Sequence, residues 1–270
     1  MTTIGPKGSL DRSIGREILA YRDLVVFLAR RDIKVRYQQA LLGAAWAFLQ
    51  PLLFMAIFTV VFSRIVKAST GDIPYPLFAF SGLIIWQLFI NSVTSASNSV
   101  VSQQNMVQKI YFPRLVLPLS ACVVTFVDFL IASVFLLGMT LFFGFFPSWR
   151  LIAIVPIVLL TLTLAFGVGS ALAALNVRFR DIRYLTNFIA QLWLFATPVA
   201  YPFGMIPEKW TTLASFNPVT GLVEAFRWAT IGSTDVDPFR LSVSIGMCIV
   251  LSIGGIALFR TMEPSFADTI

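Results

Sequence analysis

The chain has 270 residues, of which 57% are hydrophobic and 12% charged, and its mean hydropathy is +0.84. Soluble domains are roughly 45–50% apolar and about 25% charged, so a soluble core does not account for this composition. The sequence contains no histidine, the commonest metal ligand and general base. Cys122 and Cys248 both fall in apolar segments, which predicts buried packing rather than a disulfide or metal site. The composition therefore predicts an integral membrane protein.

Residues 1–40 form the predicted cytoplasmic N-terminal arm. The first 38 residues contain no uninterrupted apolar run after a basic start, so we expect no cleavable signal peptide. Within the arm, one helical face of the stretch 21–37 is apolar except at Asp32, and its members are Tyr21, Leu24, Val25, Leu28 and Val35. This pattern predicts an amphipathic helix along the inner membrane surface, which either faces a soluble partner or only anchors the chain to lipid.

Six apolar stretches are each long enough to cross about 30 Å of hydrocarbon. They cover residues 41–62, 76–101, 115–143, 151–175, 188–203 and 241–259. The fifth stretch is short and contains Pro198 near its outer end. The pattern predicts an all-α membrane protein with a six-helix transmembrane domain over 41–260 and a cytoplasmic tail over 261–270.

The distribution of basic residues predicts the orientation. The N-terminal arm, the second-to-third and fourth-to-fifth connections and the tail together hold fourteen of the 20 Lys and Arg residues. Because the side richer in Lys and Arg is cytoplasmic, both termini are expected inside. The net charge of +7 is then mainly a topology signal rather than a sign of nucleic-acid binding.

Two connecting regions differ from plain loops. In the cytoplasmic connection 176–187, three arginines alternate with Val177, Phe179 and Tyr184, which favours either a helix that docks on another protein or a solvated loop. Asn176 and Asp181 are candidate helix caps there. The outer region 204–237 contains a helical pattern over 219–231 that is too short to span, and it is either a lid over a pathway or an ordinary surface helix. Glu224 and Arg227 are spaced to pair along that helix.

Asp128 lies midway along the third apolar stretch, with no other charge expected at its depth. An ionisable residue inside a membrane indicates a functional site, such as a proton relay. A structural role, in which Asp128 is hydrogen-bonded between helices, fits equally well. The sequence contains no HExxH, GxSxG-type or phosphate-binding-loop motif, so no catalytic set is predicted.

Aromatic residues recur on two of the predicted spans. Phe54, Phe58 and Phe62 are four residues apart on the first, and Phe188, Trp193 and Phe195 lie on or beside one face of the fifth. Such stripes either face lipid and other helices or line a pathway in which sugar rings stack on aromatic faces.

Several motifs resemble the permease subunits of ABC-2 type exporters, particularly those that export O-antigen, other lipid-linked polysaccharides and teichoic acids. The similar segments are 30–37 (RRDIKVRY), 42–46 (LGAAW) with Gln50-Pro51, 109–114 (KIYFPR) with Pro118, and Asn217-Pro218 with 224–227 (EAFR). They are spread over nearly the whole chain.

The resemblance implies an ABC-2 (type V) exporter fold that works as a homodimer in the inner membrane with two copies of a separate ATPase, which binds ATP and Mg²⁺. It implies that 21–37 is an interface helix, 102–114 a gate segment, 176–187 a coupling helix and 204–237 a pair of external re-entrant helices. The implied interface and gate residues are Arg31, Lys34, Arg36, Tyr37, Lys109, Tyr111, Pro113 and Arg114. The implied coupling residues are Arg178, Phe179, Arg180, Asp181, Arg183 and Tyr184. The implied channel residues are Phe54, Phe58, Phe62, Phe188, Trp193, Phe195 and Tyr201.

The expected function is therefore export of a lipid-linked glycan without catalysis by this chain. The alternatives are an exporter of teichoic acid, capsule or a small lipid or drug, an ion-coupled transporter centred on Asp128, and a membrane transferase, which the lack of a general base disfavours.

Overall fold

The computed structural model describes residues 19–38, 43–67, 69–146, 148–232 and 236–266, and this part of the chain is all-helical with no strand. The predicted arm and tail therefore lie partly outside the described residues. The α-helices are α1 (Arg22–Gln38), α2 (Trp46–Phe58), α3 (Tyr75–Ser102), α4 (Gln104–Lys109), α5 (Val116–Phe142), α6 (Ile154–Arg178), α7 (Ile182–Ala196), α8 (Glu208–Ser215), α9 (Pro218–Ile231) and α10 (Pro238–Met262). A 3-10 turn (Gly43–Ala45) precedes α2, and a π-helical segment (Thr59–Ile65) continues it.

Five of the described helical segments are long and apolar enough to cross a membrane: Gly43–Ile65, Tyr75–Ser102, Val116–Phe142, Trp149–Arg178 and Pro238–Ser265. They coincide with five of the six predicted spans. The remaining predicted span, 188–203, differs from the structure. Its helix, α7, begins six residues earlier at Ile182 and ends at Ala196, so its 15 residues extend only about 22 Å. The sequence-based count of six spans is therefore not confirmed.

The coupling segment 176–187 is not a separate helix. Its first residues complete α6, a turn follows at 179–181, and α7 begins at Ile182. Of the two expected caps, Asp181 occupies the N-cap position of α7, although its side chain makes no cap hydrogen bond. The expectation for Asn176 is wrong, because it lies within α6 and donates to the Ser97 carbonyl oxygen of α3 over 3.1 Å.

The central helix is α3, which is largely buried and packs against α5 and α6. Since apolar burial does not drive helices together within lipid, close packing depends on small residues. At the crossing of α6 and α10, Gly167 and Gly255 face each other so closely that a Cβ atom on Gly255 would overlap the Gly167 carbonyl oxygen. These glycines allow the two backbones to come into contact.

The N-terminal helix α1 packs along α5, so it is more than a surface anchor. Its buried residues are Val25, Leu28 and Ala29, which confirms part of the predicted apolar face. Val35, which was placed on the same face, is exposed. The apolar face therefore covers only the first half of α1.

The outer region 204–237 contains α8 and α9, separated by a single turn. Asn217 caps α9 through a hydrogen bond of 3.1 Å from the Val219 N–H to its side-chain oxygen, and Pro218 occupies the first helical position. The α9 helix ends at Gly232, whose φ of 77° is left-handed. Nearly all of α9 is buried against α3, α6 and α10, so the interpretation as an ordinary surface helix is wrong.

Candidate substrate path and coupling surface

Five of the seven predicted channel residues form one chain of ring contacts, which we call the aromatic cluster: Phe54, Phe58, Phe62, Phe195 and Tyr201. Along α2 and its continuation the ring centroids of Phe54 and Phe58 are 6.1 Å apart, and those of Phe58 and Phe62 5.8 Å. The cluster reaches α7 through Phe195, 6.5 Å from Phe58, and the segment after α7 through Tyr201, 6.2 Å from Phe62. The first span and α7 therefore meet through aromatic side chains.

The other two predicted channel residues lie elsewhere on α7. Phe188 is exposed and outside the cluster. Trp193 packs against Trp86 and Phe89 of α3, with centroid distances of 6.2 and 5.1 Å, and its indole N–H donates to the Asn217 side-chain oxygen over 3.1 Å. Trp193 therefore joins α7 to α3 and to the cap of α9.

An aromatic cavity of about 630 Å³ lies between the end of α7, α8 and the start of α9. Trp193, Tyr201 and Trp210 contribute to its walls, together with the side chain of Asn217. Burial raises the pKa of the Tyr201 phenol above its ordinary value, so the hydroxyl stays protonated and donates to the Phe195 carbonyl oxygen over 2.8 Å. The cavity continues the aromatic cluster beyond the end of α7.

Arg227 holds this region together, a role that the sequence reasoning missed. Its guanidinium, almost fully buried, donates to the carbonyl oxygens of Phe78, Pro198 and Val199 and lies 3.6 Å from the centre of the Phe78 ring. Gly82 leaves the space for it, because a Cβ there would overlap the guanidinium. Arg227 thus joins the turn that follows α7 to the first turn of α3.

The predicted pairing of Glu224 with Arg227 is wrong. Glu224 instead accepts from Arg240 of α10 over 2.9 Å, and Arg240 also lies 3.0 Å from Asp237. Burial raises the pKa of the Glu224 carboxyl, while Arg240 opposes that shift. Spacing along one helix did not reveal that a neighbouring helix supplies the partner.

Asp128, near the middle of α5, is paired with Arg36 and accepts a hydrogen bond from the Tyr37 hydroxyl. The expectation that no other charge lies at its depth is therefore wrong, because the end of α1 packs beside α5. Burial, followed by the bond to Asp128, raises the pKa of the Tyr37 phenol, so this group stays a donor. The arrangement fits a structural pairing of Asp128, because both of its carboxylate oxygens are bonded.

The predicted gate residues are divided between the interior and the surface. The Arg114 N–H donates to Glu263 over 3.1 Å, its guanidinium donates to the Glu263 carbonyl oxygen, and it lies 5.6 Å from the centre of the Phe266 ring. Lys109 and Tyr111 are exposed, and Pro113 is half-buried. The gate segment is therefore joined to the residues that follow α10. On α1, Arg31 pairs with its neighbour Asp32 over 2.8 Å, and Lys34 is exposed.

All six predicted coupling residues are exposed, and together they form what we call the coupling turn: Arg178, Phe179, Arg180, Asp181, Arg183 and Tyr184. The Arg178 guanidinium lies 5.5 Å from the centre of the Phe179 ring, and Tyr184 is 76% exposed. Exposed aromatic and arginine side chains in one short segment are typical of protein-binding surfaces. Among the described residues, no three His, Cys, Asp or Glu side chains come together as a metal site requires.

Comparison with known proteins identifies relatives over nearly the whole chain. The O-antigen export system permease protein RfbA of Myxococcus xanthus is 29% identical, with 94% of this chain and 98% of that protein covered. The protein of the same name from Klebsiella pneumoniae is 28% identical, with 92% and 95% covered. The polysialic acid transport protein KpsM of Escherichia coli is 24% identical, with 87% and 92% covered. The model of the family described as ABC-2 type transporter matches residues 23–231. Since that match takes in α1 to α9, with the aromatic cluster and the coupling turn, this multi-pass membrane protein belongs to the ABC-2 type transporter family.

Proposed function

We propose that this chain is the membrane subunit of an ATP-driven exporter that moves a lipid-linked polysaccharide of the O-antigen kind across the cytoplasmic membrane. The observation that carries the proposal is the similarity to O-antigen export permeases along 94% of the chain. Aromatic contacts between the first span and the region of Phe195 and Tyr201 support it, because aromatic faces pack against the C–H faces of sugar rings without fixing a particular sugar.

Two further parts of the proposal concern assembly. Two copies of the chain form a homodimer, with the exposed apolar side chains of α7, such as Phe188, Ile189 and Leu192, at or near the contact. Two copies of a separate ATPase, which holds ATP and Mg²⁺, dock on the coupling turn. In this orientation both termini of the permease are cytoplasmic, as the distribution of basic residues indicates.

The relative named for polysialic acid transport favours a second candidate, export of a capsule-type polysaccharide by the same machinery. An ion-coupled carrier centred on Asp128 is less well supported, because that carboxylate is already paired with Arg36 and Tyr37.

Deletion of the gene in its host, with complementation by the intact gene, tests the proposal. We expect the surface polysaccharide to disappear and lipid-linked glycan to accumulate inside the cell, both measured by gel electrophoresis of extracted lipids and surface material. Loss of a lipid-free capsule with normal lipid-linked polysaccharide would favour the second candidate. Unchanged amounts of every surface glycan would exclude polysaccharide export.

A further inference from the structure

A second cavity, of about 390 Å³, lies between α1, α2, α3 and α5, and its walls include none of the aromatic cluster. Its volume falls within the roughly 300–1,000 Å³ of small-molecule sites. The wall residues that matter here are Trp46 and Gln50 of α2, Gln87 and Asn91 of α3, and the Arg36–Asp128 pair.

Three side-chain amides converge on this cavity without protein partners. Gln50, Gln87 and Asn91 make no side-chain hydrogen bond to any part of the chain that the structure describes. Gln50 is exposed and Gln87 and Asn91 are partly exposed, so the three amides are open to a ligand. Each amide both donates and accepts hydrogen bonds, as the hydroxyl groups of a ligand also do.

The charge of the cavity selects against an anion. Arg36 and Asp128 neutralise each other, and the remaining polar wall groups are uncharged. A phosphate placed here would lie close to the Asp128 carboxylate and would have to compete with it for Arg36. An uncharged, hydroxyl-rich ligand meets no such repulsion.

Trp46 adds an aromatic surface to the wall of the cavity. Half of its side chain is exposed, and it lines the same cavity as the three amides. An indole face beside amide groups suits a sugar ring, whose C–H face packs on the aromatic ring while its hydroxyls bond to the amides. We propose that this cavity is a saccharide-binding subsite for the exported glycan, an inference that rests on the proposed function.

The position of the subsite on α2 relates it to the aromatic cluster. Trp46 and Gln50 stand two turns and one turn before Phe54, and Phe58 follows one turn later. Residues four apart are neighbours on a helix surface, so the cavity wall and the cluster form one winding row along α2. A glycan that extends from the cavity along α2 would therefore next meet Phe54 and Phe58 of the aromatic cluster.

Cysteine protection tests the subsite directly. Ser95 also lines the cavity, and Ser95→Cys places a thiol there, whereas Cys122 and Cys248 are buried. The full-length chain, purified in detergent, is labelled with a small methanethiosulfonate reagent. Two probes are added separately: the oligosaccharide released by mild acid from the host's own surface polysaccharide, and undecaprenyl pyrophosphate without sugar. The control is Ser242→Cys, at an exposed position on α10 outside the cavity.

We expect the oligosaccharide to slow labelling of Ser95→Cys about tenfold when nine sites in ten are occupied, and to leave Ser242→Cys unchanged. In the same background, Gln87→Met with Asn91→Leu should raise the half-protecting concentration about tenfold. Trp46→Leu should raise it and Trp46→Phe should largely preserve it, which separates stacking from general misfolding.

Protection by the lipid pyrophosphate alone would overturn the inference, since the cavity would then hold a headgroup. Absence of protection by either probe, in a host whose deletion strain loses its polysaccharide, would overturn the subsite and leave the proposed function intact. A deletion strain that keeps its polysaccharide would remove the proposed function and the subsite with it.

Discussion

At the scale of single residues, the charged side chains within the helical bundle have fixed structural partners. Arg227 serves three carbonyl oxygens, Glu224 is paired with Arg240, and Asp128 with Arg36. These partners lie on other helices, except for Pro198 and Val199, which lie in the turn after α7. The sequence could show which charges fall in apolar surroundings, but their partners depend on packing between segments distant in sequence.

Replacement of Arg227 by lysine tests whether the guanidinium is needed to hold the end of α7. Lysine keeps the charge but cannot bond three carbonyl oxygens in the same planar arrangement. We expect a loss of stability of about 1–3 kcal/mol for an unsatisfied buried carbonyl, measured as a lower temperature of unfolding in detergent. Thr230→Ala on the same helix is a mild control, since it removes only local bonds to the Phe226 and Arg227 carbonyl oxygens within α9. Equal unfolding temperatures for Arg227→Lys and the parent would contradict this role.

At the scale of helices, contact between α6 and α10 depends on Gly167 and Gly255. A Cβ at Gly255 would overlap the Gly167 carbonyl oxygen, whereas a Cβ at the adjacent Gly254 would meet no atom within 4 Å. Alanine substitutions at these two neighbouring positions therefore serve as test and matched control.

We expect Gly255→Ala to force α10 away from α6 and to destabilise the chain by about 1–3 kcal/mol, as overpacking does. Gly254→Ala should be neutral or slightly stabilising, because alanine favours the helix. The fraction of monodisperse protein that survives heating in detergent measures both effects. A similar loss in the two variants would mean that the crossing does not require the glycine.

Helix positions were largely predictable, because an apolar stretch of spanning length is readable without knowledge of its neighbours. The exception is α7, whose start lies in the charged segment that was interpreted as a separate coupling helix. The polar row on α3, with Gln87, Asn91 and Ser95 four residues apart, was also present in the sequence. The sequence could not show that this row lines a cavity, because the other walls come from α1, α2 and α5.

At the scale of the whole molecule, the coupling turn and the end of the aromatic cluster lie at opposite ends of α7. Phe179 and Arg180 precede this helix, and Tyr201 follows it. In the proposed exporter, a movement of the turn would therefore be transmitted along one 15-residue helix to the aromatic cluster.

Phe179→Ala with Arg180→Ala should weaken ATPase docking about tenfold or more, as loss of an exposed anchor at an interface does. Arg64→Ala, an exposed arginine near the opposite end of the bundle, is the control. Co-purification of the ATPase and its stimulation by the permease are the measurements. Full stimulation in the double variant would show that the turn does not couple.

The path itself is best tested at Phe195, because its side chain is 60% exposed and yet its ring belongs to the aromatic cluster. By contrast, Phe58 is buried, so its removal would confound transport with stability.

Loss of one aromatic contact with a passing sugar costs about 1 kcal/mol, or roughly a fivefold slower step. Phe195→Ala should therefore slow the appearance of surface polysaccharide after induction, and Phe195→Tyr should not. Phe142→Ala removes a phenylalanine that is even more exposed, at the end of α5 and outside the cluster, and should export at the parental rate. If Phe195→Ala matched this control at equal membrane abundance, the exposed aromatic residues of α7 would be lipid or dimer contacts, and the glycan would have to pass elsewhere.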